Sequence, residues 1–532
     1  MPTSAEPLRP TRHRPRALRE LAAVAGGTLP AEHGEVAVSG ITNRSAEVRP
    51  GDLYAALPGQ RTHGAHFAAQ ARDRGAAGVL TDAAGAALVE QAELGLPVLV
   101  AGDVKAVLGQ VAAAVYGDPS ARLHLLGITA TSGKTTTAYL MRAGLQAAGH
   151  TVGLIGTVET LIGDRVIPHT AGASFTTPEA PDLQALLAVM AEAGVTHVVM
   201  EVSSHALALG RVGAIRFDVA GFGNLSQDHL DFHHTMQEYF EAKALLFDGR
   251  AARHVVNVDD EYAARIVAMA PARTVTISTA PDLRQVSDIY RPAKGSEPAA
   301  EADWQARDQQ LGESASTFTA HGPAGDVPVE LHLPGDFNVA NALMSLAMLD
   351  AVGVPPQVAA PALSTVAVPG RMERIEEGQP YLAVVDYSHK PAAVQAAIRA
   401  LRPQVPGRIL LVLGCGGDRD AQKRPLMGEV GAREADLLVV TDDNPREEDP
   451  ATIRDAVAEG VWPRSRARLE VVEGRVAAIE LAVEIAHGSG PGATVAVLGK
   501  GHEQGQEVRG EIREHDDRAV LRAALDRRSV TG

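Results

Sequence analysis

The sequence predicts an α/β protein built on parallel sheets and divided into three units, and three observations carry that expectation. First, Leu123 to Ala138 reads LHLLGITATSGKTTTA. An apolar run breaks into small and hydroxyl residues and then into helix-forming composition, which is the order strand, phosphate loop, helix. Second, Val-rich stretches of strand length recur between helical stretches, the pattern of a sheet buried on both faces. Third, 532 residues with 45% hydrophobic and 21% charged content suffice for roughly three to four domains with sizeable cores.

Taken in order, residues 1–17 are basic and Pro-rich without an apolar h-region, a flexible leader rather than a signal peptide. Residues 18–122 form a small α/β unit. It holds a short helix over Leu18 to Ala25, a turn at Pro50-Gly51-Asp52 into a strand over Leu53 to Leu57, and strands at Gly78 to Thr81 and Pro97 to Val100. Residues 123–365 form the central unit, whose strands after the phosphate loop are His150 to Gly156, THVVMEVSS, RFDVAGFGNL and ARHVVNVDD. Pro281 to Ser314 is polar and reads as a surface excursion. Strand-like alternation returns at Ser316 to Leu333, before a helix carrying Asn338, Asn341 and Ala342 to Met348. Residues 366–532 form a third α/β unit with strands at Tyr381 to Val385, Arg408 to Leu413, Asp436 to Thr441 and Ala493 to Leu498. Each ends in a polar loop: DYSHKP, GCGGDRD, DDNPREE and GKGHE. Ligands of such sheets sit at the carboxyl ends of the strands, so these loops are where a substrate belongs.

Sixty-five acids against 49 bases leave a formal charge of −16, which argues against nucleic acid as a partner. An anionic substrate must then be met by local basic groups. The single cysteine, Cys415, excludes an internal disulfide framework and fits a reducing, cytoplasmic setting. No run approaches the ~20 apolar residues of a membrane span.

The residues that carry chemistry cluster at the ends of the expected strands. Backbone N–H groups of the loop before Lys134 would cradle a polyphosphate, with Lys134 reaching the terminal phosphates and Thr135 a Mg²⁺ ion. Glu201 ends an apolar run beside Ser203, Ser204 and His205; a carboxylate there suits Mg²⁺, and a loop-stabilising role is the alternative. Asp228, His229, Asp231, His233 and His234 fall within seven residues, ahead of a helix carrying Lys243. The spacing of His229 and His233 suits zinc on a helix, but Leu230 stands where a metalloprotease has Glu and no cysteine is near. In the last unit Arg419, Asp443, Asn444, Arg446 and Glu503 match a zwitterion, guanidinium forks for carboxylates and acids for an ammonium. Gly414 and Gly416 begin a dinucleotide fingerprint that Arg419 breaks.

Together these residues resemble the Mur ligase family, ATP-dependent amide-forming enzymes of peptidoglycan synthesis. VRPGDLYAAL, ITATSGKTTT, FTTPEA, MEVSSHAL, NLSQDHLDFH, YFEAKALLF, GDFNVANAL, PGRMERI, VDYSHKP, LGCGGDRDAQKRPLM, DDNPREE and GKGHE occur in that family's order over nearly the whole chain. The resemblance implies the three-domain architecture of the family: a uridine-nucleotide-binding domain, a central ATP-binding domain with a phosphate-loop parallel sheet, and a Rossmann-like C-terminal domain. It implies that Thr131, Ser132, Gly133, Lys134, Thr135 and Thr136 hold ATP, with Asn338, Asn341, Arg371, Asp386 and His389. Thr135, Glu201 and His229 would hold Mg²⁺ with Lys243, which the resemblance implies is carbamylated by CO₂; Lys134, His229 and Lys243 would be catalytic. Ser45, Thr176, Thr177, Ser203 and Arg211 fall on positions that bind a UDP-linked muramoyl dipeptide. Asp443, Asn444, Pro445 and Arg446, the DNPR associated with meso-diaminopimelate, would bind that amino acid with Arg419, Gly499 and Glu503.

The implied reaction transfers the γ-phosphate of ATP to the D-glutamate γ-carboxylate of UDP-N-acetylmuramoyl-L-alanyl-D-glutamate, and the diaminopimelate amine then displaces phosphate. The expected partners are these small molecules, acting on a monomer without membrane insertion. A lysine-adding ligase or a folylpolyglutamate synthase shares the core, and a non-catalytic nucleotide-binding paralogue is the reading from another class. Some positions depart from the family pattern. Ala130 stands where a loop glycine is usual, and its methyl would crowd the phosphate if φ were positive. Asn43 to Ala46 stands where Asp-Ser-Arg is common, Leu209 where Gln is, and Gly223 and His234 where Thr and Gly are.

Overall fold

The computed structural model describes residues 8–59, 61–168, 176–281, 301–312, 315–333, 335–402, 407–463 and 465–529. Phe175 of FTTPEA, residues 1–7 of the leader and residues 282–300 and 313–314 of the polar stretch lie outside them.

In the first unit α1 (Leu18–Ala25) forms where its composition placed it and ends at Gly26, whose φ of 56° suits glycine. Four parallel strands lie side by side in chain order: β1 (Gly40–Thr42), β2 (Asp52–Ala55), β3 (Gly78–Thr81) and β4 (Val98–Val100). α2 (Val104–Val115) starts at Asp103, whose carboxylate accepts from the Ala106 N–H at 3.1 Å, and buries Val111 and Val115 with Leu18 and Leu21 of α1. The leader is not free over its described part. Arg9 donates to the Tyr116 hydroxyl at 2.8 Å and pairs with Asp52 at 3.1 Å, and Arg16–Ala17 pairs antiparallel with Ala37–Val38.

The central unit contains β5 (His124–Thr129), α3 (Lys134–Ala147), β6 (Val152–Ile155), β7 (Thr160–Ile162), β8 (Arg165–Ile167), α4 (Ala180–Glu192), β9 (His197–Glu201), β10 (Phe217–Phe222), α5 (Met236–Ala244), β11 (Ala251–Asn257), β12 (Thr274–Ser278), β13 (Trp304–Leu311), β14 (Ser316–Gly322), β15 (Gly325–Leu331) and α6 (Asp336–Ala351). The described strands form one sheet in the order β8-β7-β6-β9-β5-β10-β11-β12-β13-β14-β15. It is parallel from β6 to β13 and antiparallel at both ends. Leu140, Met141 and Leu145 of α3 pack with Leu343, Leu346 and Leu349 of α6 over one face, and Leu183, Leu187 and Met190 of α4 over the other. Both faces are therefore covered, as the continuous apolar strands require. The expected surface excursion at Pro281 to Ser314 is wrong over Trp304–Leu311. That segment is β13, whose Trp304 and Ala306 are buried in the core while its later residues emerge polar. The β7–β8 hairpin was not foreseen either.

The third unit contains β16 (Glu373–Arg374), β17 (Leu382–Asp386), α7 (Pro391–Leu401), β18 (Ile409–Cys415), α8 (Lys423–Glu434), β19 (Leu437–Asp442), β20 (Arg468–Val471), α9 (Arg475–Ser489), β21 (Thr494–Leu498) and α10 (Asp517–Ser529). Its sheet runs β16-β17-β21-β18-β19-β20, parallel except at β16. Cys415, the one cysteine, is a buried free thiol that burial pushes up to about 12, so it stays protonated and inert. Among the described residues no helix is long and apolar enough to cross a membrane.

Candidate active site at the carboxyl edges of two sheets

Sheet register assembles the centre. Glu201 of β9 pairs with Ile128 of β5, and Phe222 of β10 pairs with Thr129, so the loops after β5, β9 and β10 leave the same edge side by side. Gly133 turns the chain into α3 at φ 88°, and a Cβ there would meet Asn341 Oδ1 at 2.4 Å; only glycine fits. The Thr131 N–H donates to the Asn224 carbonyl at 2.9 Å and the Ser132 N–H to Asn224 Oδ1 at 3.0 Å. Thr135 and Thr136 are buried in the first turn of α3. Thr137 donates to Asn341 Oδ1 at 3.3 Å, and Asn341 donates to Asn338 Oδ1 at 3.0 Å, which joins the two asparagines of α6 to this turn. Ala130 is not at positive φ, so the expected crowding by that route is absent. A Cβ on Gly223 would stand 3.0 Å from the Ala130 methyl, so the methyl at 130 fills the space that the glycine at 223 leaves. His234 does sit at positive φ, 59°, which is why a glycine suits that position.

Three ammonium groups converge on the carbonyls of this loop. Lys134 donates to Ala130 at 2.7 Å and Thr131 at 3.3 Å; Lys243 donates to Ala130 at 2.9 Å and to the Thr129 hydroxyl at 3.3 Å; Lys390 donates to Thr131 at 3.2 Å. Burial, then the neighbouring Lys390, lowers Lys134 to about 8. Burial, then Lys134 and Lys390, sets Lys243 well below the usual lysine range. Lys243 is positioned by a helix that Thr235 caps. Thr235 accepts from the Glu238 N–H at 3.1 Å and starts α5, whose last turn carries Lys243 inward with its ammonium 4.9 Å from the Tyr239 ring. Lys390 was missed in the sequence, although it stands within DYSHKP. It is buried, comes from the start of α7 and pairs with Asp228 at 2.6 Å. Burial works to raise Asp228, but Lys390 and then His229 outweigh it and hold the carboxyl far below its usual range.

Glu201 is buried and accepts from the Thr157 N–H at 2.9 Å and the Thr157 hydroxyl at 3.0 Å. The Thr176 hydroxyl donates to the Thr157 hydroxyl at 2.9 Å, Thr177 donates to the Glu201 carbonyl at 2.9 Å, and Arg211 donates to the Thr177 carbonyl at 3.2 Å and pairs with Glu179 at 2.5 Å. Ser203 caps the following turn, its N–H donating to Thr177 at 3.2 Å. Glu201, Thr176, Thr177, Ser203 and Arg211 thus share one cradle. Ser45 is outside it, donating to Gln70 at 2.7 Å, while its neighbour Arg44 reaches Asp182 of α4 at 2.8 Å. His229 takes φ 54° and pairs with Asp228 at 3.0 Å. His233 contacts Ser204 at 2.9 Å, and among the described residues no group of three His, Cys, Asp or Glu side chains converges as metal ligands.

The third unit presents its own carboxyl edge. Asp386 accepts from the Met372 N–H at 2.7 Å and the Ser388 N–H at 2.8 Å and so shapes the turn that aims His389 and Lys390. His389, lowered to about 3 by burial and then by Lys390, contacts the Tyr387 carbonyl at 2.8 Å. Arg371 lies 4.3 Å from the Tyr387 ring and donates to the Thr135 hydroxyl at 3.4 Å, crossing between units. At the neighbouring loops Asn444 donates to Glu503 at 2.9 Å, and Lys500 donates to both at 2.9 Å. Lys500, fully buried, was also missed. A Cβ on Gly499, at φ 120°, would come 2.9 Å from Asp443 Oδ2. Arg446, after Pro445, pairs with Glu507 at 3.1 Å and donates to the Gly417 carbonyl at 2.6 Å, which leaves Nη2 without a hydrogen bond among the described residues. Arg419 is exposed and takes no part in these bonds.

Family models match three stretches of the chain: "Mur ligase family, catalytic domain" over 37–116, "Mur ligase middle domain" over 128–349 and "Mur ligase, glutamate ligase domain" over 370–501. The chain is 50% identical over 525 residues to the UDP-N-acetylmuramoyl-L-alanyl-D-glutamate–2,6-diaminopimelate ligase of Streptomyces coelicolor, covering 98% of each. The chain belongs to the Mur ligase family. The enzyme of the same name from Corynebacterium glutamicum is 49% identical over 92% of each chain. A solved structure of a ligase with that name superposes with a TM-score of 0.66 at 28% identity, covering 97% of this chain and 99% of that one. The Mur ligase fold thus accounts for the three sheets described above.

Proposed function

We propose that this Mur ligase joins meso-2,6-diaminopimelate to UDP-N-acetylmuramoyl-L-alanyl-D-glutamate at the expense of ATP, in the cytoplasm and as a monomer. The observation that carries the reading is the seam between two edges: Lys390 and Arg371 of the third unit touch Thr131 and Thr135 of the phosphate loop. The unit that carries the amine loops therefore meets the phosphate loop, as an amide-forming reaction requires.

The loop from Thr131 to Thr136 binds the ATP phosphates, and Lys134 and Lys390 leave their carbonyl partners for phosphate oxygens. A D-glutamate carboxylate oxygen attacks the γ-phosphorus and ADP leaves, giving an acyl phosphate. The cradle of Thr176, Thr177, Ser203 and Arg211 orients the dipeptide carboxylate, with Ser45 on the uridine side. Asn444, Asp443 and Glu503 hold the ammonium end of diaminopimelate, and the open corner of Arg446 takes its distal carboxylate. The reacting amine, once deprotonated, attacks the acyl carbon and phosphate leaves with the C–O electron pair.

The donor set around the loop suits Mg²⁺, which needs one or two protein oxygens besides phosphates and waters. Thr135, Glu201 and His229 would hold it with a carbamylated Lys243, and the ion supplies neutralisation of phosphate charge. Burial keeps Lys243 partly as the neutral amine that CO₂ requires, and turning one of three crowded cations into an anion relieves their repulsion. Replacing Lys243 with Ala is expected to lower turnover at least 100-fold, whereas full activity in bicarbonate-free buffer sinks the carbamate.

The deciding assay is phosphate release from ATP with Mg²⁺ and the UDP-muramoyl dipeptide, comparing meso-diaminopimelate with L-lysine. Release with diaminopimelate alone is expected. Release with lysine overturns the role of Arg446, and release with neither overturns the reaction.

A further inference from the structure

The arm from residue 9 to 16 reads RPTRHRPR, a dense positive stretch in a chain of net charge −16. The structure spends the nearby acids on anchoring it. Asp52 takes Arg9, and the Glu192 carboxylate accepts from the Thr11 N–H at 2.9 Å, the Arg12 N–H at 2.6 Å and the Thr11 hydroxyl at 3.2 Å. His13 contacts the Ser39 carbonyl at 2.5 Å through Nε2, while its Nδ1 is buried without a hydrogen-bond partner. The anchored arm borders a cavity of about 430 Å³ with Arg12, His13, Arg14, Arg16 and Arg122 on its walls and Glu192 as the one carboxylate among the described lining residues. Arg16 has Glu20 at 3.6 Å and the charge of Arg12 acts on Glu192, whereas Arg14 and Arg122 form no ion pair among the described residues.

Four guanidinium groups around one hollow repel each other, and a bound polyanion is what offsets that repulsion. Guanidinium forks match phosphate oxygens two at a time, and a cleft of this volume admits a short phosphate chain or a nucleotide rather than a folded macromolecule. Arg122 lies just before β5, at the amino edge of the central sheet, whereas the phosphate loop leaves the carboxyl edge. We propose that the arm and Arg122 form a second anion site, specific for an oligophosphate and distinct from the phosphate loop. The ligand is either a free phosphate chain or the phosphate tail of a nucleotide.

The test is calorimetric titration of the full chain with inorganic tripolyphosphate in the absence of nucleotide, read as a phosphate-loop event common to wild type and variants and a second event at the arm. Arg12→Gln, Arg14→Gln and Arg122→Gln combined are expected to weaken binding at least tenfold and leave phosphate release unchanged. The exposed single variant Arg122→Gln, expected to weaken it threefold or more, serves if the triple variant unfolds. Equal affinity for CTP and tripolyphosphate assigns the phosphate chain as the ligand, and tighter CTP binding assigns a nucleotide. Identical isotherms for wild type and variants overturn the site, as does binding abolished by about 150 mM KCl, the mark of diffuse charge alone.

Discussion

At the scale of single residues, the departures of this chain from its family pattern explain one another in space. Ala130 and Gly223 are 93 positions apart, yet the missing side chain at 223 is what makes room for the methyl at 130. Gly223→Thr alone then overpacks the base of the phosphate loop and is expected to cost ~1–3 kcal/mol in urea unfolding. Ala130→Gly in the same chain should recover most of that loss. A double-mutant cycle reads the coupling, and additive effects would show that the two positions do not share the space. The sequence displayed both substitutions but not their contact, because only the pairing of β10 with β5 brings the two loops together.

At the scale of elements, the strands were legible where their residues are continuously apolar, since no solvated loop accommodates a run such as Val198 to Met200. β13 was not, because its polar half reads as loop and only Trp304 and Ala306 betray the buried face. The site loops were legible as polar residues at strand ends. The anchoring of the leader was not, because its partners Asp52 and Glu192 lie far along the chain. His124 and His197 on neighbouring strands stack with centroids 4.8 Å apart, and His150 lies 4.0 Å from His197. Burial, then His150 and His124, lowers His197 to about 4. Between the unfolded value near 6.5 and about 4, the unfolded chain takes a proton that folded His197 refuses, so stability falls as pH drops through that window. His197→Leu should flatten the decline in urea midpoint between pH 7 and pH 5, and an unchanged slope would place the acid sensitivity elsewhere.

At the scale of the whole molecule, the phosphate loop is where units of separate sequence meet. Lys134 begins α3, Lys243 ends α5 and Lys390 begins α7 of the third unit, yet all three donate to the carbonyls of Ala130 or Thr131. No motif in the sequence could assign Lys390 a partner, because that depends on how the third unit docks. Asp228 balances Lys390; a phosphate chain on the loop competes for the same ammonium and so binds best when the third unit is seated. Binding of ATP and docking of that unit are thereby linked, and each must strengthen the other by the same factor. Lys390→Gln removes a charge-assisted contact of about 1.5–3 kcal/mol, so the KM for ATP is expected to rise roughly ten- to a hundredfold. Lys390→Arg should restore part of it. A structural role alone predicts a lower melting temperature with the KM for ATP unchanged. Small-angle scattering completes the measurement: ATP should compact the wild type more than the Gln variant, and equal compaction would separate nucleotide binding from closure.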